Sequence, residues 1–340
     1  MVEATVLLGL ALVAFAGGAV GAAIGGYQAL GIAGLLIVLG EGAAVLNVAS
    51  IDAGLAPAFG PHVAFVGGVA AAAYAARQGY LDEGPFGYHP AKNVTTGLGA
   101  RVDLLVVGGV FGAVGFGLAR ASAGAGLPWD PIAFAVVVSA LLHRIVLGFP
   151  LIGTVHGESV LDMSPFDAGE RRTPLRPDGG SDAGRYAVEP WLPHQYRWHD
   201  VAALGAVVGV VAAFLTLRTA NPYFAFGLAA ASLLFVSAGV DRFPVVYHMA
   251  LVPSFAAVGL AGGASSPEAM AAETALSVLL LGGAAFGAVT AVFGELFQRL
   301  LYAHADTHFD APMAAVLVGT LLVSALQSVG LLAGAPVPTI

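Results

Sequence analysis

The chain has no cysteine, which excludes disulfides, thiolate nucleophiles and Cys-ligated zinc. It is also poor in charge. Only 10% of its 340 residues are Asp, Glu, Lys or Arg. A soluble protein of this length needs far more polar residue to cover its surface. Lysine is nearly missing: of the 13 basic residues, Lys92 is the single lysine. No phosphate-binding glycine loop, Gly-x-Ser-x-Gly elbow or basic nucleic-acid signature is present, because the 47 glycines lie largely inside apolar runs. A nucleic-acid partner and a soluble nucleotide enzyme are excluded on these grounds.

What is there is apolar. Hydrophobic residues make up 58% of the chain. They fall in runs of about 20 residues, the length that crosses a hydrocarbon core of about 30 Å. The class is an all-α integral membrane protein whose first partner is the lipid bilayer. The start Met1-Val2-Glu3 lacks a basic n-region, so the first apolar run is expected to remain as a span. Abundant Ala, Gly and Val, scarce lysine and an acid excess in the loops point to a halophilic prokaryote of archaeal type.

The chain repeats itself. His62-Val-Ala-Phe-Val with Ala70-Ala71 matches His248-Met-Ala-Leu-Val with Ala256-Ala257. Gly108-Gly109 before Phe111-Gly112-Ala113-Val114 matches Gly282-Gly283 before Phe286-Gly287-Ala288-Val289. Trp129-Asp130-Pro131 matches Phe309-Asp310-x-Pro312. Ten spans are expected, at 5–24, 29–48, 61–78, 101–120, 131–150, 200–217, 223–240, 244–262, 272–295 and 312–334. Residues 1–150 form the first five-helix repeat and 200–340 the second. A copy with five spans inserts upside down relative to its twin, which is a transporter architecture. Residues 151–199 are rich in Asp, Arg, Pro and Gly and read as a polar linker, partly disordered, that can serve as a docking surface for a membrane complex.

Basic residues set the orientation. Arg77, Lys92, Arg101, Arg144, Arg171, Arg172, Arg176, Arg185, Arg197, Arg242 and Arg299 fall on one side, and Arg120 and Arg218 on the other. The linker is therefore expected in the cytoplasm and both termini outside. Glycines at four-residue spacing, such as Gly17, Gly21 and Gly25, Gly108 and Gly112, and Gly283 and Gly287, read as close-packing faces.

Ionisable residues inside the spans carry the functional expectation. Glu41 falls near the middle of the second span, where a charge costs on the order of 3 kcal/mol. It reads as an ion- or proton-handling group, or as a protonated acid bonded to a neighbouring helix. Asp103 enters span 4 beside Arg101 and is an interfacial residue or a cavity residue. His143 and Arg144 lie deep in span 5. Arg144 is placed to snorkel towards the cytoplasm, and His143 to titrate or to bond a neighbour. His62 and His248 are equivalent, each after a proline turn. They read as helix-entry residues at headgroup level or as parts of half-helix anion sites. His304, Asp306, His308 and Asp310 alternate over seven residues. This run is the most metal-like stretch, although its spacing fits no zinc motif, and its rival reading is a solvated cytoplasmic loop. The Asp130-Pro131 and Asp310-x-Pro312 junctions read as helix caps.

Two stretches resemble membrane subunits of the sodium-translocating tetrahydromethanopterin S-methyltransferase. One runs from Gly84-Pro85-Phe86-Gly87 to Gly99-Ala100-Arg101-Val102-Asp103. The other joins Arg299–Tyr302 to Phe309-Asp310-x-Pro312-Met313. Together they cover about a tenth of the chain. The resemblance implies cation translocation and would place Asp103 and Asp310 near an ion path.

The expected function is a transporter coupled to Na+ or H+, moving a small solute or ion through a midplane site between the repeats. Glu41, Asp103, His143, His62 and His248 are its candidate ligands. The rivals are a non-catalytic membrane subunit or channel, as a homo-oligomer or within a larger complex, and a membrane enzyme with a metal at His304–Asp310. A topology reporter fused after Ile340 is expected to act outside the cell. Activity of that reporter in the cytoplasm overturns the orientation.

Overall fold

In a computed structural model, residues 2–45, 56–81, 84–172 and 184–334 are described. Ten apolar helices carry the fold. They are α1 Val2–Ile24, α2 Gly26–Val45, α3 Ala56–Arg77, α4 Val102–Gly124 and α5 Pro131–Leu147 in the first half. The second half holds α6 Trp198–Thr219, α7 Pro222–Ser237, α8 Tyr247–Leu260, α9 Leu276–Leu301 and α10 Ala311–Ser328. Six of them, α1, α3, α4, α6, α9 and α10, are long and apolar enough to cross a membrane. The other four are shorter over their apolar lengths. Residues 46–48 of the second expected span lie outside the described residues.

The outer faces support the membrane setting. Leu8 and Leu12 on α1, Val207 and Val211 on α6 and Leu281 on α9 point outward and are exposed. A helix that is apolar on both its buried and its outward face is at home in lipid.

Which helix packs on which is the same in both halves. The first and fourth helices of each half pack extensively on each other, α6 with α9 and α1 with α4. In each half the third helix packs on both of these, and the fifth packs on the fourth. Between halves, α2 meets α7 and α5 meets α10, so like meets like. Both pairs run antiparallel. Glu41 bonds Asn221 while Gly31 abuts Leu234. Asp130 bonds Thr320 while Arg144 bonds Thr307.

Glycine sets the closest pairs. A Cβ on Gly209 would lie 2.0 Å from the Gly283 carbonyl oxygen, and one on Gly287 2.1 Å from that of Gly205. In the first half a Cβ on Gly18 would lie 2.2 Å from the Gly108 oxygen and 2.7 Å from the Gly112 Cα. The faces read from Gly108, Gly112, Gly283 and Gly287 are packing faces. Their partners are Gly18, Gly205 and Gly209. Gly17 and Gly21 turn instead to the backbone of α3, at Ala58 and Ala64.

The third helices are the innermost. Every residue of α8 from Tyr247 to Gly259 is buried, and α3 is the most enclosed of the six long helices. Both are irregular. Helix α3 opens on a π turn over Pro61–Phe65, and α8 carries Pro253 in its interior. Such breaks weaken the helical ladder locally and often mark functional positions.

The ninth helix departs from expectation. It runs Leu276–Leu301 rather than over 272–295, and Pro267–Glu273 is a separate short helix. Glu295, Gln298 and Arg299 end the apolar run in the sequence, yet they stay helical and buried because they satisfy one another. Arg299 Nε donates to Glu295 Oε1 at 2.6 Å and Gln298 Nε2 to the same oxygen at 3.0 Å.

The linker is not a loose tether over its described length. Val188, Glu189, Trp191 and Leu192 are buried, and Arg299 donates to the Tyr196 carbonyl at 2.9 Å. Residues 173–183, with Arg176, lie outside the described residues.

The glycine contacts give a graded test. Gly209→Ala and Gly18→Ala are each expected to destabilise by about 1–3 kcal/mol, because the helices must part. Gly117→Ala, with open space around its Cβ, is expected to be near neutral. Thermal unfolding of the detergent-solubilised protein reads the ranking.

Candidate functional site

The functional residues gather where α3, α5 and the loop before α10 meet. A narrow cavity there is lined by Phe65, Val66 and Val69 of α3, by Val136, Ser139, Ala140 and His143 of α5, and by His308 and Asp310 of the loop. It has room for about one water. Its walls come from both halves of the chain.

Asp310 is built into this cavity by its local sequence. It caps α10, and its Oδ1 accepts the Met313 N–H at 2.7 Å, with Pro312 in the first turn. Asp130 caps α5 in the same way through the Ala133 N–H at 2.7 Å. The aromatic-Asp-Pro junctions are helix caps in both halves. Asp310 has a second partner. The Tyr247 hydroxyl lies 2.7 and 2.6 Å from its two oxygens and donates to it.

His308 is the most exposed to question of the buried groups. It is 1% exposed, and neither ring nitrogen has a hydrogen-bond partner. Its Nε2 lies 4.0 Å from Asp310 Oδ2. The ring is held edge-on by Tyr27, Phe65 and Tyr302, with centroids at 5.7, 5.9 and 5.6 Å. An unpaired buried polar group costs about 1–3 kcal/mol, so its retention needs a reason. Ser139 Oγ, also on the cavity wall, is likewise unpaired.

The loop over 302–310 is a corrected expectation. It is neither a solvated loop nor a metal-ligand row. His304, Thr307, His308 and Asp310 are all buried. The four candidate ligands diverge. His304 Nε2 bonds the Val160 carbonyl at 3.1 Å, Asp306 accepts from Arg185 at 2.6 Å, and Asp310 accepts from Tyr247. Among the described residues no three His, Asp or Glu side chains converge to hold a metal. The alternation read as one extended face fails because the chain turns through 302–307 rather than running straight.

Arg144 explains how such a loop can be buried. It does not snorkel: it is fully buried. Its guanidinium donates to Thr307 Oγ1 at 2.8 Å, to the Leu301 carbonyl at 2.7 Å, to the Thr307 carbonyl at 3.1 Å and to the Leu151 carbonyl. His143, one position earlier, bonds Thr307 Oγ1 at 3.2 Å.

Below the cavity the linker crosses as a strap. Trp191 Nε1 donates to the Tyr27 hydroxyl at 2.8 Å, and Tyr27 in turn packs on His308. Lys92 Nζ meets Glu189 Oε2 at 2.6 Å, both side chains fully buried, and also donates to the Tyr302 carbonyl at 2.9 Å. Burial pulls the Lys92 ammonium down to about 8, with Glu189 opposing that shift. For Asp306, burial pushes the carboxyl up, but the neighbouring Arg185 outweighs it and the net direction is down.

The remaining candidates lie elsewhere. Glu41 is half-buried one turn from the described end of α2 and accepts from Asn221 Nδ2 at 2.8 Å, far from the cavity lining. Asp103 is paired with Arg101 at 3.3 Å at a largely exposed helix start. His62 and His248 are buried beside Gly115 and Gly294, and each leaves Nδ1 unpaired. Of the sequence candidates, His143, His308 and Asp310 come together. Tyr27, Tyr247, Ser139 and Trp191 are additions. Tyr27 was open to discovery, since it aligns with Tyr223 in the second half. The two tyrosines are electrostatic neighbours of Asp310 and Asp130 respectively.

Removing one member of the buried Lys92–Glu189 pair leaves a bare charge. Lys92→Met is expected to destabilise by about 3–5 kcal/mol, and Lys92→Met with Glu189→Gln by clearly less. Unfolding of the two variants against the native protein checks the order.

No curated protein and no solved structure matches the chain. One family pattern matches it over residues 1–340, that is, over every position. The protein that carries this cavity and its strap therefore belongs to the family described as a family of unknown function, DUF7973.

Proposed function

We propose that the chain is a membrane transporter coupled to a small cation or to protons, made of two inverted five-helix repeats around the His143–His308–Asp310 cavity. The observation that carries this reading is the cavity itself. It is polar at one wall and shared by both halves, with an acid and an unpaired imidazole facing each other. Ionisable groups in an apolar interior are costly and are kept where they handle ions or protons.

The frame supports it. Like helices of the two halves meet antiparallel at α2 with α7 and at α5 with α10. That is the relation expected of inverted repeats. The innermost helices, α3 and α8, are the irregular ones. In the mechanism, the tightly joined α1–α4 pair, with α3 packed on it, and the α6–α9 pair move as rigid units while α8 flexes at Pro253. The strap from 184 to 196 covers the linker side through the Trp191–Tyr27 bond. Alternating access then requires this strap to lift when that side opens.

Glu41 yields its place as favoured coupling group to Asp310. Its bond to Asn221 makes it a tie between α2 and α7. The resemblance to a sodium-translocating complex points to Asp103 and Asp310 alike; Asp103 is paired with Arg101 at a largely exposed helix start, which leaves Asp310 as the candidate on the ion path.

Reconstituted vesicles test the proposal, with an internal pH dye and radiolabelled sodium as probes. Asp310→Asn keeps a good helix cap and is expected to lower ion-coupled flux by about ten-fold or more. Glu41→Gln is expected to leave flux nearly unchanged. Native flux in the Asp310 variant removes the cavity from the mechanism.

A further inference from the structure

Resting on the transporter reading, we infer that the coupling species bound in the cavity is a proton, held on the Asp310 carboxyl and relayed through His308, and not a coordinated cation.

The donor set argues first. A hard cation takes about six or more oxygen ligands in a shell. The lining supplies the Asp310 carboxylate and the Ser139 hydroxyl, and the rest of its side chains are apolar or imidazole. The carboxylate is already engaged by the Met313 N–H and the Tyr247 O–H. The space suits about one water. A proton needs no shell, only an acceptor and a route.

The route is present. A separation of 4.0 Å between His308 Nε2 and Asp310 Oδ2 is too long for a direct hydrogen bond. It suits one water bonded to both. Both ring nitrogens are unpaired, so the imidazole can take a proton on one and give up a proton from the other. The bridging water passes that proton to the carboxylate. The imidazole ends neutral in its other tautomer, and the carboxylate has become a carboxylic acid.

The surroundings decide where the proton rests. From α5, His143 and Arg144 face His308, and Lys92 reaches it from the α3–α4 connection. From α2 and α8 come the phenols of Tyr27 and Tyr247, and from the loop Tyr302. His248 faces Asp310. Arg144 and Lys92 are cations fixed by their own bonds. They oppose a third positive charge on His308, so the imidazole relays the proton and does not hold it.

The test uses the full chain in lipid nanodiscs and in vesicles. An infrared difference spectrum between neutral and acid pH is expected to show a protonated-carboxyl band. Asp310→Asn should abolish it, and Asp310→Glu, a second variant, should move it. His308→Gln should keep the band and slow proton flux about ten-fold. Replacing choline chloride by sodium chloride should leave the thermal midpoint unshifted. A band that survives Asp310→Asn overturns the inference. So does a sodium-dependent rise in midpoint that this variant loses. If the band behaves as expected but vesicles pass no protons, the proton site stands and the transporter reading falls.

Discussion

The rest of the structure depends on the guanidinium of Arg144. A non-helical loop inside an apolar protein carries carbonyls that water cannot reach. It is tolerated only where protein groups satisfy them. Arg144 does this for Leu301 and Thr307 on one side and for Leu151 on the other. It thereby joins α5 of the first half to the approach of α10 in the second. With the loop pinned, Asp310 caps α10 at a buried level and His308 is delivered to the cavity. Without that cation the loop would have no reason to leave the surface. The buried charge is offset by four hydrogen bonds and by the nearby Phe309 ring, 5.6 Å from the guanidinium carbon.

A second constraint is steric. Lipid gives helices no hydrophobic reason to associate, so close backbone packing must supply it. The glycines of α1 and α4, and of α6 and α9, bring backbone against backbone in the same positions of each half. These pairs are stiff for that reason. In the first half the same close packing also ties α3 to α1 and α4, through Gly17, Gly21 and Gly115. In the proposed transporter, α8 with its interior Pro253 is the element left to yield.

Much of the frame was legible in the sequence. Apolar run length marked an all-helical chain, six of whose helices among the described residues are long and apolar enough to cross a membrane, and the repeated Gly-Gly and Asp-Pro signatures marked helices that pack and cap alike. These are local signals, each set by a few neighbouring residues. The site was only half legible. His143 stands out because an ionisable group in an apolar span is rare, and Asp310 through its Asp-x-Pro cap signature and the alternating run before it. Glu41 stands out for the same reason as His143, but its bond to Asn221, 180 positions away, is invisible in the sequence. The His304–Asp310 run reads as ligands or as loop, since alternation cannot show that His304, Asp306 and Asp310 are each taken by a different distant partner while His308 has none. The linker looked mobile by composition. Among its described residues, Glu189 and Arg185 are instead paired within the fold, with Lys92 and Asp306 respectively.

Comparison of the two halves then locates the asymmetry that function needs. Asp130 and Asp310 are equivalent caps, and Tyr223 and Tyr27 are their equivalent neighbours. At Asp130 the preceding loop, Ala125 to Pro128, is short and mostly exposed, with no histidine before the cap. At Asp310 the preceding loop is buried, carries His308 and lies beneath the strap. In the proposed transporter, halves that pack alike offer two similar ends, and the end beneath the strap carries the relay. Covering that end with side-chain bonds rather than with helix packing makes it separable. The Trp191–Tyr27 bond and the Lys92–Glu189 pair are side-chain contacts, distinct from the glycine contacts that join the helices. A gate beside a rigid core has that physical requirement, which is why the proposal places it at the strap.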